Sequence, residues 1–241
     1  MPRWFRVALD LALPRRCEAC AGSLVTGQVC CLCDVCRAGM LPLPAPYCTC
    51  CAAPLQPDHR GPACLACICS PPRFTTARAA GLYLPVALGL NPLATAVHRL
   101  KYERRRQLAT PLGGLLAERF PFGGDVLLVP VPLHVTRLRT RGFNQAVLLA
   151  RSLARHRGLE TALRALARTR ATSPQARLPA AARRANLRGA FVVGRPSLVA
   201  GRHVVLIDDV LTTGATANAC AEALLDAGVP RVDVYTVGRA P

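Results

Sequence analysis

His203-Val204-Val205-Leu206-Ile207-Asp208-Asp209-Val210-Leu211-Thr212-Thr213-Gly214-Ala215-Thr216 is an apolar run, an acid pair and a hydroxyl-rich turn in unbroken order. Val204 to Ile207 shows no polar alternation, which fits a parallel strand buried on both faces. Asp208 and Asp209 fall at its carboxyl end, where open α/β sheets bind their ligands. Thr212, Thr213 and Thr216 offer hydroxyls, and Gly214 lets backbone approach a ligand closely. Val210 and Leu211 lead into the turn, and a helix is predicted from Ala215 to Asp226. Its free N–H groups and positive end then point at the turn, as a phosphate requires. Two carboxylates beside a phosphate cradle suit a ribose 5-phosphate, the acids taking hydroxyls and the turn taking phosphate. The bland alternative is a strand ending in a solvated Asp-Asp turn with a capping threonine.

The stretch resembles the 5-phosphoribosyl 1-pyrophosphate (PRPP) motif of type I phosphoribosyltransferases. That resemblance implies binding of PRPP or a related ribose phosphate, with Mg²⁺, by Asp208, Asp209 and residues Val210 to Thr216. Purine-salvage members of that superfamily carry an aspartate base where this chain has Thr212. An acceptor would have to bring its own nucleophile or find a base elsewhere.

A chain of 241 residues with 51% hydrophobic content can hold one full α/β domain and a smaller unit. Net charge is +18, from 31 basic and 13 acidic residues, and Lys101 is the sole lysine. GC-rich codon usage explains arginine over lysine. It does not explain why the span from Arg137 to Arg188 holds thirteen arginines and one acid, Glu160. Such a segment favours a polyanion: nucleic acid, pyrophosphate or anionic lipid. No stretch reaches the ~20 apolar residues that span a bilayer. Asp10 interrupts the early apolar run and Pro14-Arg15-Arg16-Cys17 is a poor cleavage site, so no signal peptide is expected. A short amphipathic helix bearing Trp4, Val7, Ala8 and Leu11 is expected to pack on the body. The protein reads as cytoplasmic, with the inner face of the membrane as the minor alternative.

Twelve of thirteen cysteines lie between Cys17 and Cys69. Four C-x-x-C pairs recur at even spacing: Cys17/Cys20, Cys33/Cys36, Cys48/Cys51 and Cys64/Cys67. Two such turns make one tetrahedral Cys₄ site, so the pattern predicts one or two structural zinc ions. Sequential pairing gives tandem ribbons, and interleaved pairing stays open at this level. A disulfide framework fits a cytosolic chain poorly. Cys30, Cys31, Cys50 and Cys69 are read as non-ligands, and Cys220 as a buried small hydrophobe. Some fifty residues with few large side chains cannot build a core unaided, and metal fills that role.

Pro71 to Arg78 reads as a linker, and Gly81 to Leu88 as a short strand. Asn91-Pro92 opens a helix carrying Leu93, Val97 and Leu100, which runs into a basic cluster from Arg99 to Arg106. Val126 to Pro132 is a second buried strand. An arginine-rich loop, 133–141, follows, and Asn144 caps a helix that stops at Gly158. With Lys101, the loop residues Arg137, Arg139 and Arg141 are candidates for pyrophosphate or DNA contact. Arg164 to Arg188 reads as a mobile lid or linker whose arginines would meet phosphate, with a solvated loop as the bland alternative. Tyr102 and Phe143 are the best-placed aromatics for stacking a base.

Four features occur in one order: the paired cysteines, Leu100-Lys101-Tyr102, Val129-Pro130-Val131-Pro132-Leu133 with Arg141-Gly142-Phe143-Asn144-Gln145, and Ile207 to Gly214. Together they resemble the ComF family of competence and GntX-like proteins over nearly the whole chain. Gln175, Arg183, Arg184, Asn186 and Phe191 resemble that family's basic segment. The resemblance implies an α/β fold of type I phosphoribosyltransferase kind, a parallel sheet with helices on both faces, preceded by a small Cys₄ zinc-ribbon domain. Expected bounds are 1–70 for the N-terminal helix and double ribbon and 79–241 for the body. It also implies a role in DNA uptake during natural transformation, with single-stranded DNA and a helicase or other competence protein as partners. Two function classes follow: a single-stranded-DNA-handling protein that keeps a PRPP site, and an active transferase with an unknown acceptor.

Overall fold

A computed structural model describes residues 15–24, 30–84, 91–170, 187 and 189–241. The expected N-terminal helix and most of the 164–188 lid, Gln175, Arg183, Arg184 and Asn186 included, lie outside the described residues.

The body is built on five parallel strands: β1 (Ala77–Leu82), β2 (Val126–Pro130), β3 (Glu160–Thr161), β6 (His203–Leu211) and β7 (Arg231–Arg239). They lie in the order β1-β7-β6-β2-β3. The two remaining strands, β4 (Leu166–Arg168) and β5 (Phe191–Val193), form a separate antiparallel pair. Helices are α1 (Asp34–Ala38), α2 (Leu65–Cys69), α3 (Pro92–Tyr102), α4 (Ala109–Glu118), α5 (Val135–Arg141), α6 (Gln145–Arg157) and α7 (Ala215–Asp226).

Successive strand residues feed two cores on opposite faces of the sheet, as a period of two requires. Val126, Leu128, Val205, Ile207, Tyr235 and Val237 join a core with Leu100 of α3, Leu112 and Leu116 of α4, and Leu149 and Leu153 of α6. Leu127, Val129, Val204, Leu206, Val232 and Val234 join the other, against Cys220 and Leu224 of α7 and Phe191 of β5. Helices therefore cover both faces, as the resemblance implies. Cys220 is fully buried in the second core, as expected of a small hydrophobe.

Local signals act where the sequence places them. The Asn91 side chain accepts from Ala94 N at the start of α3, and the Asn144 side chain accepts from Ala146 N at the start of α6. Gly158 closes α6 in the left-handed conformation. Three expectations are corrected. The first strand is Ala77–Leu82 rather than 81–88, because Ala77 to Leu82 pair in register with Val234 to Arg239 of β7. The preceding linker is fastened down: Thr75 N donates to Val232 O at 2.8 Å, and Thr76 N and Oγ1 both donate to Asp233 at 2.9 Å. The loop 133–141 is mostly the helix α5. His134 caps it by accepting from Thr136 N, and Gly142 ends it at φ 79°.

The cysteine-rich segment is a tandem repeat offset by 31 residues. Cys17 N donates to Gly22 O and Cys48 N to Ala53 O; Ala21 and Ala52 both take positive φ; α1 and α2 occupy matching places. Leu32, Cys36 and Met40 of the first unit enter the α3–α4 core, while the second unit docks at β1, with Ala77 N donating to Cys50 O at 2.6 Å.

Candidate functional site

β6 outlasts its neighbour β2. Pro130 pairs with Ile207, and Val131 N donates to Ile207 O, but beyond this point β2 has no further partner for β6. Pro130 and Pro132 lack N–H donors and cannot extend the ladder. On the other side β7 continues, pairing Asp208 with Thr236, Val210 with Gly238 and Leu211 with Arg239. The strand thus runs through both acids to Leu211 instead of stopping at Ile207. The acids sit in the ladder, beside the step where β2 has ended.

Asp209 is 3% exposed. Its Oδ1 lies 2.8 Å from Lys101 Nζ at the last turn of α3 and accepts from Val210 N at 2.7 Å. Its Oδ2 is buried with no hydrogen-bond partner among the described residues. Asp208 Oδ1 accepts from Asp209 N at 2.8 Å. Burial and the adjacent Asp209 charge push the Asp208 carboxyl up to about 8, against the opposing pull of Lys101. Burial disfavours the Lys101 charge, but Asp209 outweighs it, so the ammonium is held above its ordinary range.

Thr212 and Thr213 are exposed at the turn, Gly214 and Thr216 are half-buried, and Ala215 is buried. Gly214 stands at φ 75° as the N-cap of α7. A Cβ there would meet Phe74 at 3.7 Å, an ordinary contact, so conformation and not space demands glycine. Asn218 N donates to Gly214 O as the first intrahelical bond, and no side chain caps the helix. The first N–H groups of α7 face the turn without intrahelical partners.

The remaining basic candidates divide. Lys101 is the resident counter-ion of Asp209 rather than a member of the arginine face. Arg137 and Arg139 of α5 are exposed. Arg141 donates to Gln145 Oε1 at 2.6 Å and lies over the Tyr102 ring, 5.4 Å from its centroid. Arg168 of β4 is a contributor that spacing did not single out. Burial and Arg137 lower its pKa, and Cys220 and Asp208 act in the opposite sense. Phe143 is not a stacking platform: it is buried, with the Arg106 guanidinium 4.9 Å over its ring. Tyr102 remains, 66% exposed. His134 acts as a helix cap, also bonding Thr136 Oγ1 at 2.8 Å. A groove of about 490 Å³ runs between α5, α6 and β4, lined by Leu133, Val135, Leu138, Val147 and Arg168 among others.

The cysteines form two groups, Cys17/Cys20/Cys33/Cys36 and Cys48/Cys51/Cys64/Cys67, each with sulfurs within 4.8 Å of one another. Pairing is sequential, and Cys30, Cys31, Cys50 and Cys69 belong to neither group. Backbone N–H groups aim at the sulfurs: Cys33 N at Cys17 Sγ (3.3 Å) and Cys64 N at Cys48 Sγ (3.3 Å). Burial opposes ionisation of Cys17 and Cys48, but these and neighbouring N–H donors win and bring both thiols down to about 6. Four soft thiolates held by N–H donors fit a divalent metal such as zinc, and leave no coordination position for water.

Residues 138–241 match the Phosphoribosyl transferase domain family. The DNA utilization protein YhgH of Escherichia coli O157:H7 is 34% identical over 238 residues, covering 95% of this chain and 99% of that protein. The Salmonella typhi protein of the same name is 35% identical over 77% of this chain and 81% of its own. Competence protein F of Haemophilus influenzae is 30% identical over 93% of this chain and 97% of its own length. With the parallel sheet, the acid–threonine turn and the two Cys₄ groups in their expected order, the chain belongs to the ComF family, a phosphoribosyltransferase-like body behind an N-terminal pair of cysteine ribbons.

Proposed function

We propose that this protein serves DNA uptake or utilization, that its body binds PRPP with Mg²⁺ at Asp208, Asp209 and the 210–216 turn, and that its arginine face handles single-stranded DNA. The buried, unpartnered Oδ2 of Asp209 carries the first part. A buried carboxylate oxygen without a donor is costly unless a ligand hydroxyl or cation completes it. Bound Mg²⁺ would supply charge neutralisation for the pyrophosphate. The chain's own part is to place the 5-phosphate on the α7 N-terminus and to hold Asp209 against Lys101.

The relatives' names support the DNA role. The exposed Arg137 and Arg139, with Arg104 and Arg105 on the neighbouring segment, supply a backbone-tracking charge, and exposed Tyr102 supplies one stacking surface. The two ribbons, with Leu65 and Ile68 exposed on α2, are assigned to a protein partner such as a helicase. We place the division between ribbons and body at residues 71–78, and the protein in the cytoplasm, at most touching the inner membrane face. Among the described residues no helix is long and apolar enough to cross a membrane.

A second reading, active transfer to an unknown acceptor, is favoured by the 490 Å³ groove. Isothermal titration of the zinc-loaded protein with PRPP and Mg²⁺, with and without single-stranded DNA, tests both. Micromolar binding that Asp209→Asn removes supports the ribose-phosphate site. Salt-sensitive DNA binding without any PRPP binding overturns it and leaves the fold as a scaffold.

A further inference from the structure

Arg239, the last residue of β7, is 6% exposed and reaches two places at once. Its Nε donates to the Cys51 carbonyl at 2.9 Å, and its Nη2 lies 3.9 Å from Cys51 Sγ. Its Nη1 donates to the Leu211 carbonyl at 3.2 Å and to the Ala240 carbonyl. Cys51 belongs to the second Cys₄ group, and Leu211 is the residue immediately before Thr212. The Leu211 carbonyl also accepts from Ala240 N at 3.0 Å. A guanidinium has a rigid planar fork, so moving one set of its acceptors disturbs the other.

The first cysteine group has no such link among the described residues. Its unit is tied to the body away from the phosphate turn: Glu18 meets Arg99, Arg105 and Gln107, and Arg119 Nη1 donates to the Met40 and Ala80 carbonyls.

We infer that Arg239 is a positioning residue that couples the second cysteine group to the phosphate turn, so that metal in that group and a ribose phosphate at the turn strengthen each other's binding. Four thiolates and a divalent ion carry net charge −2, which favours the guanidinium beside Cys51. When the metal leaves, nothing fixes the four sulfurs relative to one another, and the Cys51 carbonyl and Sγ that anchor Arg239 can shift. Arg239 then no longer holds the Leu211 carbonyl in one place, and the entry to the turn loosens. The ligand arm of this inference rests on the proposed ribose-phosphate site; the structural arm does not.

Both arms use the full chain. Hydrogen exchange at the amides of 211–216 is followed in zinc-loaded wild type, in Cys67→Ser (second group) and in Cys20→Ser (first group). Faster exchange in Cys67→Ser alone is expected. Equal exchange in all three overturns the coupling, whether or not PRPP binds. In the ligand arm, cobalt replaces zinc and the thiolate-to-cobalt absorption reports chelator competition, its second-group step identified with Cys67→Ser. Saturating PRPP and Mg²⁺ should raise metal affinity of that step by about fivefold or more, and metal should raise PRPP affinity by the same factor. Arg239→Gln should bring the factor to one while both ligands still bind. PRPP binding by wild type with no change in metal affinity overturns the coupling. A failure of wild type to bind PRPP at all counts against the site, and the exchange arm then decides the coupling.

Discussion

Replacing Lys101 by methionine keeps the stem that packs on the body and removes the charge that faces Asp209. At 2.8 Å and an effective dielectric of about 20, the attraction is about 6 kcal/mol before desolvation. Burying the ammonium costs several kcal/mol, so the net worth of the pair is far smaller. Lys101→Met, however, leaves the Asp209 charge buried and alone, and such deletions cost about 3–5 kcal/mol. The loss depends on pH. In the wild type, Asp208 has a folded pKa raised from 3.8 to about 8. The folded state therefore binds more protons than the unfolded chain between about 4 and 8, and stability falls as pH rises through that window. Without the ammonium, Asp208 loses the downward pull of Lys101, so the folded variant keeps its proton to higher pH than the wild type does. Each pH unit over which it keeps one extra proton relieves about 1.4 kcal/mol. The penalty should be greatest at the alkaline end, near pH 9, and should not grow toward pH 6. Urea unfolding of both proteins across this range, with zinc in excess and no Mg²⁺, measures it. A penalty below about 1 kcal/mol at pH 9, the scale of an exposed pair, refutes the buried-pair argument. So does one that grows on acidification.

Binding of Mg²⁺ and PRPP that needs ionised Asp208 should strengthen about tenfold per pH unit up to about 8 and then level off, as titration calorimetry would read. Gly113→Ala on α4 puts a Cβ 2.2 Å from Ser152 Cβ on α6, so overpacking should cost about 1–3 kcal/mol in urea unfolding. Adding Ser152→Gly should recover part of that loss, and no recovery would mean the helices do not meet there. Metal analysis should find two ions per chain, with Cys17→Ser and Cys48→Ser each keeping one. Retention of both ions by either variant would show that another cysteine, such as Cys30, substitutes as a ligand.

Elements driven by their own residues were legible in advance. Val204 to Ile207 and Val126 to Pro132 announce themselves as uninterrupted apolar runs, the second running two residues past the strand that forms, and Asn91, Asn144 and Gly158 mark helix ends through local bonds. Elements decided by distant partners were not. β6 extends past the acids because β7 pairs with it as far as Arg239, a partner no local pattern reveals. The helix α5 carries no buried residue and three arginines in seven positions, so it shows no apolar stripe; its cap at His134 and its stop at Gly142 define it. Phe143 is an exposed aromatic by pattern and a buried one in space, because Arg106 folds back over it. At the site, the order of acids and threonines was readable, but the Lys101–Asp209 pair joins residues more than a hundred positions apart. The four C-x-x-C pairs gave the metal class, and only the fold chose between sequential and interleaved grouping.

Charge at the site constrains what the body can do. The acid pair has one ammonium against it, one carboxyl raised toward neutrality and one oxygen without a donor. It is an environment that gains from a divalent cation or ribose hydroxyls and is poorly satisfied without them. Elsewhere on the body, exposed Arg137 and Arg139 of α5 supply positive charge of a kind that favours pyrophosphate and phosphodiester alike. By the resemblance, Thr212 stands where purine-salvage enzymes carry an aspartate base, and a threonine hydroxyl is no base near neutral pH. On the proposed reading the site offers ligands for a pyrophosphorylated ribose, and Thr212 offers no base for an acceptor. Any transfer here would depend on an acceptor that arrives already nucleophilic, and a nucleic-acid strand lying on the arginine face would meet the same positive charge that the proposed reading assigns to the pyrophosphate.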